Sequence, residues 1–360
     1  MDDAYRRLAE TLDKIPNGFT HTQDGTHLRV LEWIFTPEEA DLAGRMKLSG
    51  ETVEDMALRL KIPIEGLVAR LEKMVKKGQI QAWNARKGRK YGLIPFIVGI
   101  YENQVKRMDP EFAQLSEDYL RKSAGGGVFS AEPPIMRVVP VNRAMKAELE
   151  IYPYESAEEI IKKSKSWGVR ECICKHQKGL LGEPCKYQKT VCIALWPNKE
   201  NAFDNDELTK AVSMEEALRI LREAEDAGLI HCSMNIQTGH DYICNCCTCC
   251  CGVLRSLVQY EQPFALVKSH FFADVDAELC SGCGTCNDRC QLHALNSDSG
   301  VCTVDRDRCI GCGVCTIVCP EGALTLKRKP EGERVEPPGT LMDWMTQRAV
   351  ARGVDPSDLL

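Results

Sequence analysis

The chain has 360 residues and a formal net charge of −6, with 44% hydrophobic and 27% charged residues. This length requires more than one domain, and a composition near the globular average excludes a wholly disordered chain. The acidic balance excludes a surface that coats nucleic acid, because such a surface must be basic. Cysteine is the unusual residue, since all twenty lie between Cys172 and Cys319.

Two features of the sequence bear on location. It has no run of eighteen apolar residues that could span a bilayer, and the charged segment Met1–Ile15 lacks the apolar core of a secretory signal. We therefore expect a cytoplasmic protein. Thiols stay reduced in that compartment, where clustered cysteines bind metals more often than they form disulfides.

The first predicted elements are helices followed by a hairpin. The expected positions are a helix starting at Thr36, helices over Thr52–Leu60 and Ile64–Lys76, and two strands within Ile80–Leu93. This order resembles a winged-helix domain. The helix that would read DNA bases starts with Pro63–Gly66, which is apolar and acidic, so we expect protein docking or a structural role and not nucleic-acid binding.

A connector follows this domain, and it is predicted to contain one strand over Met136–Val141. Two helices are predicted after it, each with a capping box at its start and a glycine at its end. The residues concerned are Ser156, Glu159 and Gly168 for the first helix and Ser213, Glu216 and Gly228 for the second.

These helices frame a field of eleven cysteines. A short strand follows each terminal glycine and leads to Cys172 or Cys232. Two neighbouring strands would bring both cysteines to one edge of a small α/β layer, where open sheets bind ligands. Within the field, one four-thiolate site is predicted from Cys172, Cys174, Cys185 and Cys192.

The second half of the field is denser. It contains Cys232 and the run Cys244, Cys246, Cys247, Cys249, Cys250 and Cys251. This run is too crowded for every sulfur to reach one metal centre. We therefore expect that a subset of the eleven cysteines forms one or two metal sites.

The C-terminal part contains an internal repeat with a period of 29 residues. Val275–Asp276 and Val304–Asp305 each precede a C-x2-C-x2-C-x3-C run, the spacing that holds [4Fe–4S] clusters in bacterial ferredoxins. Three thiolates of one run reach one cube, and the fourth points to the other cube. The predicted ligands are Cys280, Cys283, Cys286 and Cys319 for cluster 1 and Cys290, Cys309, Cys312 and Cys315 for cluster 2.

This segment resembles a dicluster bacterial-type ferredoxin domain, which implies two [4Fe–4S] clusters. One departure is Gln291, which stands where the second copy has Pro320. The segment from Phe271 to Leu326 contains eight acidic side chains and only three arginines. This balance suggests docking to a basic partner, with an ordinary solvated surface as the alternative. Cys302 is expected to be a packed core residue and not a ligand.

The order of the motifs along the whole chain resembles that of 4Fe–4S dicluster ferredoxin-like proteins from anaerobes. The predicted fold is α+β and multidomain, with a small α/β middle domain. Its segments are an N-terminal extension 1–24, a winged-helix-like domain 25–100, a connector 101–155, a Cys-rich middle domain 156–262, a ferredoxin domain 263–328, and a linker with a C-terminal helix 329–360. For the middle domain we predict one or two further Fe–S clusters, with structural zinc as the alternative.

The resemblance implies an iron–sulfur electron-transfer protein, and no catalytic residue is assigned. The chain has neither a GxGxxG motif after a strand nor a P-loop, so we expect a flavoprotein or another oxidoreductase as the redox partner. Two alternatives stay open: a redox-sensing winged-helix regulator, and a reductase whose middle-domain cluster binds substrate. The sequence does not decide between a free carrier and an oxidoreductase subunit, nor does it give the oligomeric state.

Overall fold

The computed structural model describes residues 3–123, 127–129, 131–145, 150–262 and 264–357. The helices are α1 Asp3–Lys14, α2 Thr26–Ile34, α3 Pro37–Ala43, α4 Val53–Leu60, α5 Leu67–Lys76, α6 Pro110–Ser123, α7 Ala157–Lys162, α8 Ile173–Leu180, α9 Met214–Ala227, α10 Gly252–Gln259, α11 Thr285–Arg289 and α12 Leu341–Arg352. The strands are β1 Gln81–Ala85, β2 Gly88–Gly92, β3 Met136–Val139, β4 Ser166–Glu171, β5 Thr190–Trp196, β6 Lys210–Val212, β7 Ile230–Met234, β8 Tyr242–Cys246, β9 Leu266–Val267, β10 Phe271–Val275, β11 Leu295–Asn296, β12 Thr303–Val304 and β13 Leu324–Arg328.

This mixture of helices and strands confirms the α+β class. The chain divides into two compact units. The first comprises Met1–Glu132, His176–Pro184 and Met345–Leu360, and the second comprises Pro133–Lys175 and Cys185–Trp344. None of the helices in the described part of the chain combines the length and the apolar character needed to cross a bilayer.

The first unit contains α1 to α6 and the antiparallel hairpin of β1 and β2. The helices and the hairpin occur in the predicted order, although α5 starts at Leu67 and not at Ile64. Gly66 precedes α5 with a φ of 74°, a left-handed conformation that starts the helix later than the apolar pattern predicts. Buried Glu39 in α3 accepts hydrogen bonds from Lys77 (2.6 Å) and Gln79 (2.8 Å), which connects α3 to the end of α5.

The second unit is built on a seven-stranded sheet with the order β6-β4-β5-β8-β7-β3-β9. Only the pair β3–β9 is parallel. The prediction of a small α/β layer is therefore wrong, because the strands of α/β sheets are mainly parallel and those of this sheet are mainly antiparallel. Helices α7 and α9 cover one face, where side chains such as Ile193, Ile243 and Leu221 form the core.

The predicted end of the first framing helix is also wrong. Helix α7 starts after Ser156 as expected, but it ends at Lys162, and Gly168 lies inside β4. A Cβ atom at Gly168 would lie 2.3 Å from Thr209 Cγ2. Glycine is therefore needed here for close packing between chain segments and not to end a helix. The second framing helix, α9, ends as predicted at Gly228, which has a φ of 87°.

The C-terminal repeat forms two small antiparallel ladders. Strand β10 pairs with β13, and β11 pairs with β12. The pair Val275↔Leu324 in the first ladder corresponds to Leu295↔Val304 in the second when the residues are moved by the 29-residue period. The two copies are thus related by an internal two-fold symmetry that extends to the strand register.

Candidate metal centres

The two cysteine loops of the repeat start with the same hydrogen bonds. The backbone N–H of Cys280 donates to Asp276 O (3.0 Å), and that of Cys309 donates to Asp305 O (2.9 Å). The carboxylates of both aspartates accept bonds from backbone N–H groups two residues further along, at 3.0 and 2.9 Å. These turns fix the direction in which each loop leaves its strand, so the first thiol of each copy has an equivalent position.

The thiols predicted for cluster 1 line one partly open pocket. Its lining includes Cys280, Cys283, Cys286 and Cys319, which brings the last cysteine of the second copy to the first loop. Cys286 is buried, whereas Cys283 is exposed. Four thiols around one cavity fit a cube that needs one thiolate for each iron.

The thiols predicted for cluster 2 lie close enough to change one another's ionisation. Burial raises the pKa of Cys312 to about 12, and the neighbouring thiols of Cys290 and Cys309 act in the same direction. Burial also raises the pKa of Cys315, with contributions from Cys312, Cys290, Cys309 and Cys286. The fourth cysteine of the first copy thus lies beside the first three of the second copy.

Cys302 is buried at the edge of the first loop. Its backbone N–H donates to Cys280 Sγ at 3.3 Å, and its thiol lies 3.5 Å from Cys286 Sγ. Burial, together with the Cys302 thiol, raises the pKa of Cys286 to about 11. Cys302 is therefore a packed neighbour of two predicted ligands, and its backbone N–H is in a position to stabilise charge on the sulfur atom of Cys280.

Two glycines in the first loop give a direct test of this geometry. A Cβ atom at Gly282 would lie 2.2 Å from Gly300 O, whereas one at Gly284 would have Asn287 Nδ2, 4.0 Å away, as its nearest neighbour. Both residues have positive φ, 67° and 76°. We expect Gly282→Ala to move the loop and lose about four irons per chain, as measured by iron and sulfide analysis.

The matched variant Gly284→Ala carries only the left-handed backbone penalty of about 1–2 kcal/mol. We expect it to keep its iron and to unfold at a lower denaturant concentration. Equal iron contents in the two variants would contradict the crowded position of Gly282.

In the middle region, one face of the sheet has a row of cysteines. Cys232 on β7 pairs with Cys244 on β8, and the register between β8 and β5 puts Cys192 opposite Cys244. Cys246 lies two residues after Cys244 on the same face, close enough to Cys232 to affect the pKa of that thiol. The opposite face of these strands carries the apolar core under α7 and α9.

Further thiols extend this row beyond the sheet. Cys174 and Cys192 lie close enough to Cys172 to lower its pKa, and Cys251 lies close enough to Cys246 to raise the pKa of Cys246. The resulting group of seven is called the sheet-face thiols and comprises Cys172, Cys174, Cys192, Cys232, Cys244, Cys246 and Cys251. The prediction that Cys172 and Cys232 lie on neighbouring strands is wrong, because β5 and β8 separate β4 from β7. Both cysteines nevertheless belong to one group.

A buried lysine accompanies the sheet-face thiols. Lys175 is 1% exposed and donates to Gln188 O (3.0 Å) and Asn245 O (3.4 Å). Hydrogen bonds with Cys192 and Cys246, together with the Lys175 ammonium, lower the pKa of Cys244 to about 5. Lys175 was not among the site residues predicted from the sequence, although its place directly after Cys172-Ile-Cys174 was a signal. A buried cation next to thiols favours their ionised, metal-binding form.

A second group in the middle region contains Cys185, Cys247, Cys249 and Cys250, whose four sulfur atoms all lie within 4.8 Å of one another. This group corrects the four-thiolate site predicted from Cys172, Cys174, Cys185 and Cys192. Cys185 joins the turn between β8 and α10, whereas the other three join the sheet-face thiols. The eleven cysteines thus form groups of seven and four, which adjoin because Cys172 and Cys174 also pack against the core cluster that contains Cys247 and Cys250.

His231 lies next to Cys232 in sequence but on the other face of the sheet. Its Nδ1 lies 2.6 Å from Asn245 Oδ1, and its Nε2 lies 3.3 Å from Glu225 Oε1. Both ring nitrogens therefore have hydrogen-bond partners within the core. His231 has a structural position and is not directed toward the thiols.

The departure from the repeat at Gln291 also has a structural explanation. Gln291 Oε1 accepts a bond from Thr248 N (2.9 Å), and its Nε2 donates to Gly228 O (2.5 Å). The preceding Arg289 donates to Glu225 O and Asp226 O, both at 2.7 Å, at the C-terminal end of α9. A proline at position 291 has no side-chain groups for these bonds. The first copy of the repeat is thereby attached to the turn that contains Cys247, Cys249 and Cys250.

The comparison with protein families gives one match. The family described as 4Fe-4S binding domain matches residues 302–325, which include all four cysteines of the second C-x2-C-x2-C-x3-C run. No curated protein and no solved structure matches the chain significantly. The family match identifies residues 302–325 as a [4Fe–4S] binding region, and the group around Cys185 is a separate set of thiols able to hold a metal.

Proposed function

We propose that this [4Fe–4S] protein is an electron-transfer protein that relays electrons between its own clusters and a partner oxidoreductase. The observation that carries the proposal is the internal symmetry of the repeat. It brings Cys319 to the first loop and Cys290 to the second, as an interlocked pair of cubes requires. Each cluster, when bound, supplies a one-electron redox centre.

The residues of the two loops determine how well such centres are held. Cys280, Cys283, Cys286 and Cys319 would hold cluster 1, and Cys290, Cys309, Cys312 and Cys315 would hold cluster 2. Tight turns at Asp276 and Asp305 pre-orient the first thiol of each loop, so little rearrangement accompanies electron transfer.

The positions of five thiols support a route through the second unit. Cys283 is exposed, so its loop is where a partner can approach. Cys286 lies near enough to Cys315 to raise its pKa, and Cys232 acts in the same way on Cys312. The predicted ligands of both clusters and Cys232 thus lie within electrostatic reach of one another.

We further propose that a subset of the sheet-face thiols binds an additional Fe–S cluster. Among the described residues, no three sulfur atoms of this group lie within 4.8 Å of one another. The four sulfur atoms around Cys185 do. Sulfur atoms spaced more widely fit a polynuclear centre better than a single ion. The Lys175 ammonium would offset part of the negative charge that such a centre carries.

The charge of the C-terminal segment supports a basic partner surface. Its eight acidic side chains against three arginines would attract such a partner and accelerate the encounter. Because the chain has no nucleotide-binding motif of its own, a flavoprotein or another oxidoreductase would supply or accept the electrons. The winged-helix-like segment 25–100 would then have a docking role.

The proposal is tested with the full chain isolated without air. Reduced with dithionite and mixed with cytochrome c, a basic one-electron acceptor, it should deliver at least two electrons per chain. The rate should fall as the ionic strength rises, because screening weakens attraction to the acidic face. A colourless, iron-free protein, or one whose clusters do not reduce the acceptor, would overturn the proposed function.

A further inference from the structure

We propose that Cys185, Cys247, Cys249 and Cys250 bind one zinc ion, which makes this site a structural centre separate from the Fe–S clusters. This goes beyond the proposed function, because the site would have no part in electron transfer. Its ligands come from two distant segments of the chain, since Cys185 and Cys247 are 62 residues apart.

The sulfur–sulfur distances carry the inference. Cys185 Sγ lies 3.7 Å from Cys247 Sγ and 3.8 Å from Cys249 Sγ. Cys249 Sγ lies 3.2 Å from Cys247 Sγ and 3.6 Å from Cys250 Sγ. A tetrahedral zinc ion with Zn–S bonds of about 2.3 Å places its ligands about 3.8 Å apart. The four thiols therefore already have the spacing of one tetrahedral ion.

The same distances exclude a cube at this position. Thiolates on different irons of a cube point away from one another, so they surround a cavity. Cys280, Cys283, Cys286 and Cys319 do this, since they line one pocket around the first loop. The four sulfurs around Cys185 all lie within 4.8 Å of one another, a spacing that suits a single ion between them.

The surrounding backbone supports a structural role. Cys247, Cys249 and Cys250 lie in the tight turn between β8 and α10, where Cys251 N donates to Cys247 O at 3.0 Å. Cys185 lies in a segment between α8 and β5 that has neither helix nor strand. Four protein ligands leave no open coordination position, which is the pattern of structural zinc sites. A metal here would attach this segment to the turn.

The attachment would extend to the ferredoxin repeat. Thr248, inside the same turn, donates its backbone N–H to Gln291, the residue directly after Cys290. A zinc ion that fixes the turn would therefore also fix the position of Gln291. The bound zinc ion would thus link the middle region to the first copy of the repeat.

The test measures zinc, iron and sulfide in the full chain, produced anaerobically with iron and zinc both supplied. Wild-type protein should contain about one zinc ion per chain. Cys185→Ser and Cys249→Ser should each lose it while keeping the wild-type iron and sulfide. Thr248→Ser, a change in the same turn that leaves every sulfur in place, should keep the zinc.

Two outcomes would overturn the proposal: wild-type protein without zinc, or loss of iron from Cys185→Ser. If the variants do not fold, X-ray absorption at the zinc edge of wild-type protein decides. A shell of sulfur alone at about 2.3 Å supports the site, and a nearby second metal contradicts it. Iron-free protein that still holds its zinc would reject the proposed function and leave this inference intact.

Discussion

Cys286→Ala and Cys319→Ala should abolish the same electron-paramagnetic signal, and Cys309→Ala should abolish the other. Cys286 and Cys319 are 33 positions apart in sequence, yet both line the cavity of the first loop. Each variant should lose about four irons per chain, because a cube loses stability when one of its thiolates is removed. The measurement is the spectrum of the dithionite-reduced protein, combined with iron and sulfide analysis.

The serine variants are the matched controls, since a serine oxygen can still reach the same position. Cys319→Ser should shift the signal that Cys319→Ala abolishes. If Cys319→Ala instead removed the signal that depends on Cys309, each cluster would take all four ligands from one copy. That result would show that the exchange of ligands between the two copies is wrong.

Wild-type protein should contain at least about twelve irons per chain, since two cubes account for only eight. We assign the additional irons to a cluster on the sheet-face thiols. Cys244 is central among these thiols because its strand lies between those of Cys192 and Cys232. We expect Cys244→Ala to lose about four irons while both ferredoxin signals persist. Iron analysis and the reduced spectrum together measure this.

Ile243→Val is the control on the same strand, because Ile243 is buried on the opposite face of the sheet. It should destabilise the protein by about 0.5–1.5 kcal/mol and lose no iron. Wild-type protein with about eight irons would remove the additional cluster from the proposed function. The relay between the two ferredoxin clusters would be unaffected by that result.

The repeat was largely predictable from the sequence because its chemistry is local. Fixed spacings between cysteines determine which thiols can share a centre, and the 29-residue period predicts the strand equivalence seen in Val275↔Leu324 and Leu295↔Val304. Gln291 was visible as a departure from the repeat. Its partners, Thr248 and Gly228, were not visible, because they depend on how distant segments pack.

The middle region was less predictable because its cysteines are grouped by strand register. Cys192, Cys244 and Cys232 meet on one sheet face through the pairing of β5, β8 and β7, which no short spacing encodes. The prediction that a helix ends at Gly168 was wrong for a related reason. Glycine after an apolar helical pattern is a common helix end, but here the pattern continues into a strand that needs room beside Thr209.

The bonds of Gln291 make the two copies of the repeat unequal. Gene duplication yields two equivalent copies. If the copies stayed equivalent, they could change places in the sequence without any change in the free energy of folding. Here only the first copy carries the anchoring side chain, while Pro320 occupies the matching position of the second. If the two copies were transposed, a proline would stand at the position where Gln291 now makes its hydrogen bonds. The hydrogen bonds of Gln291 therefore fix which copy stands first in the sequence.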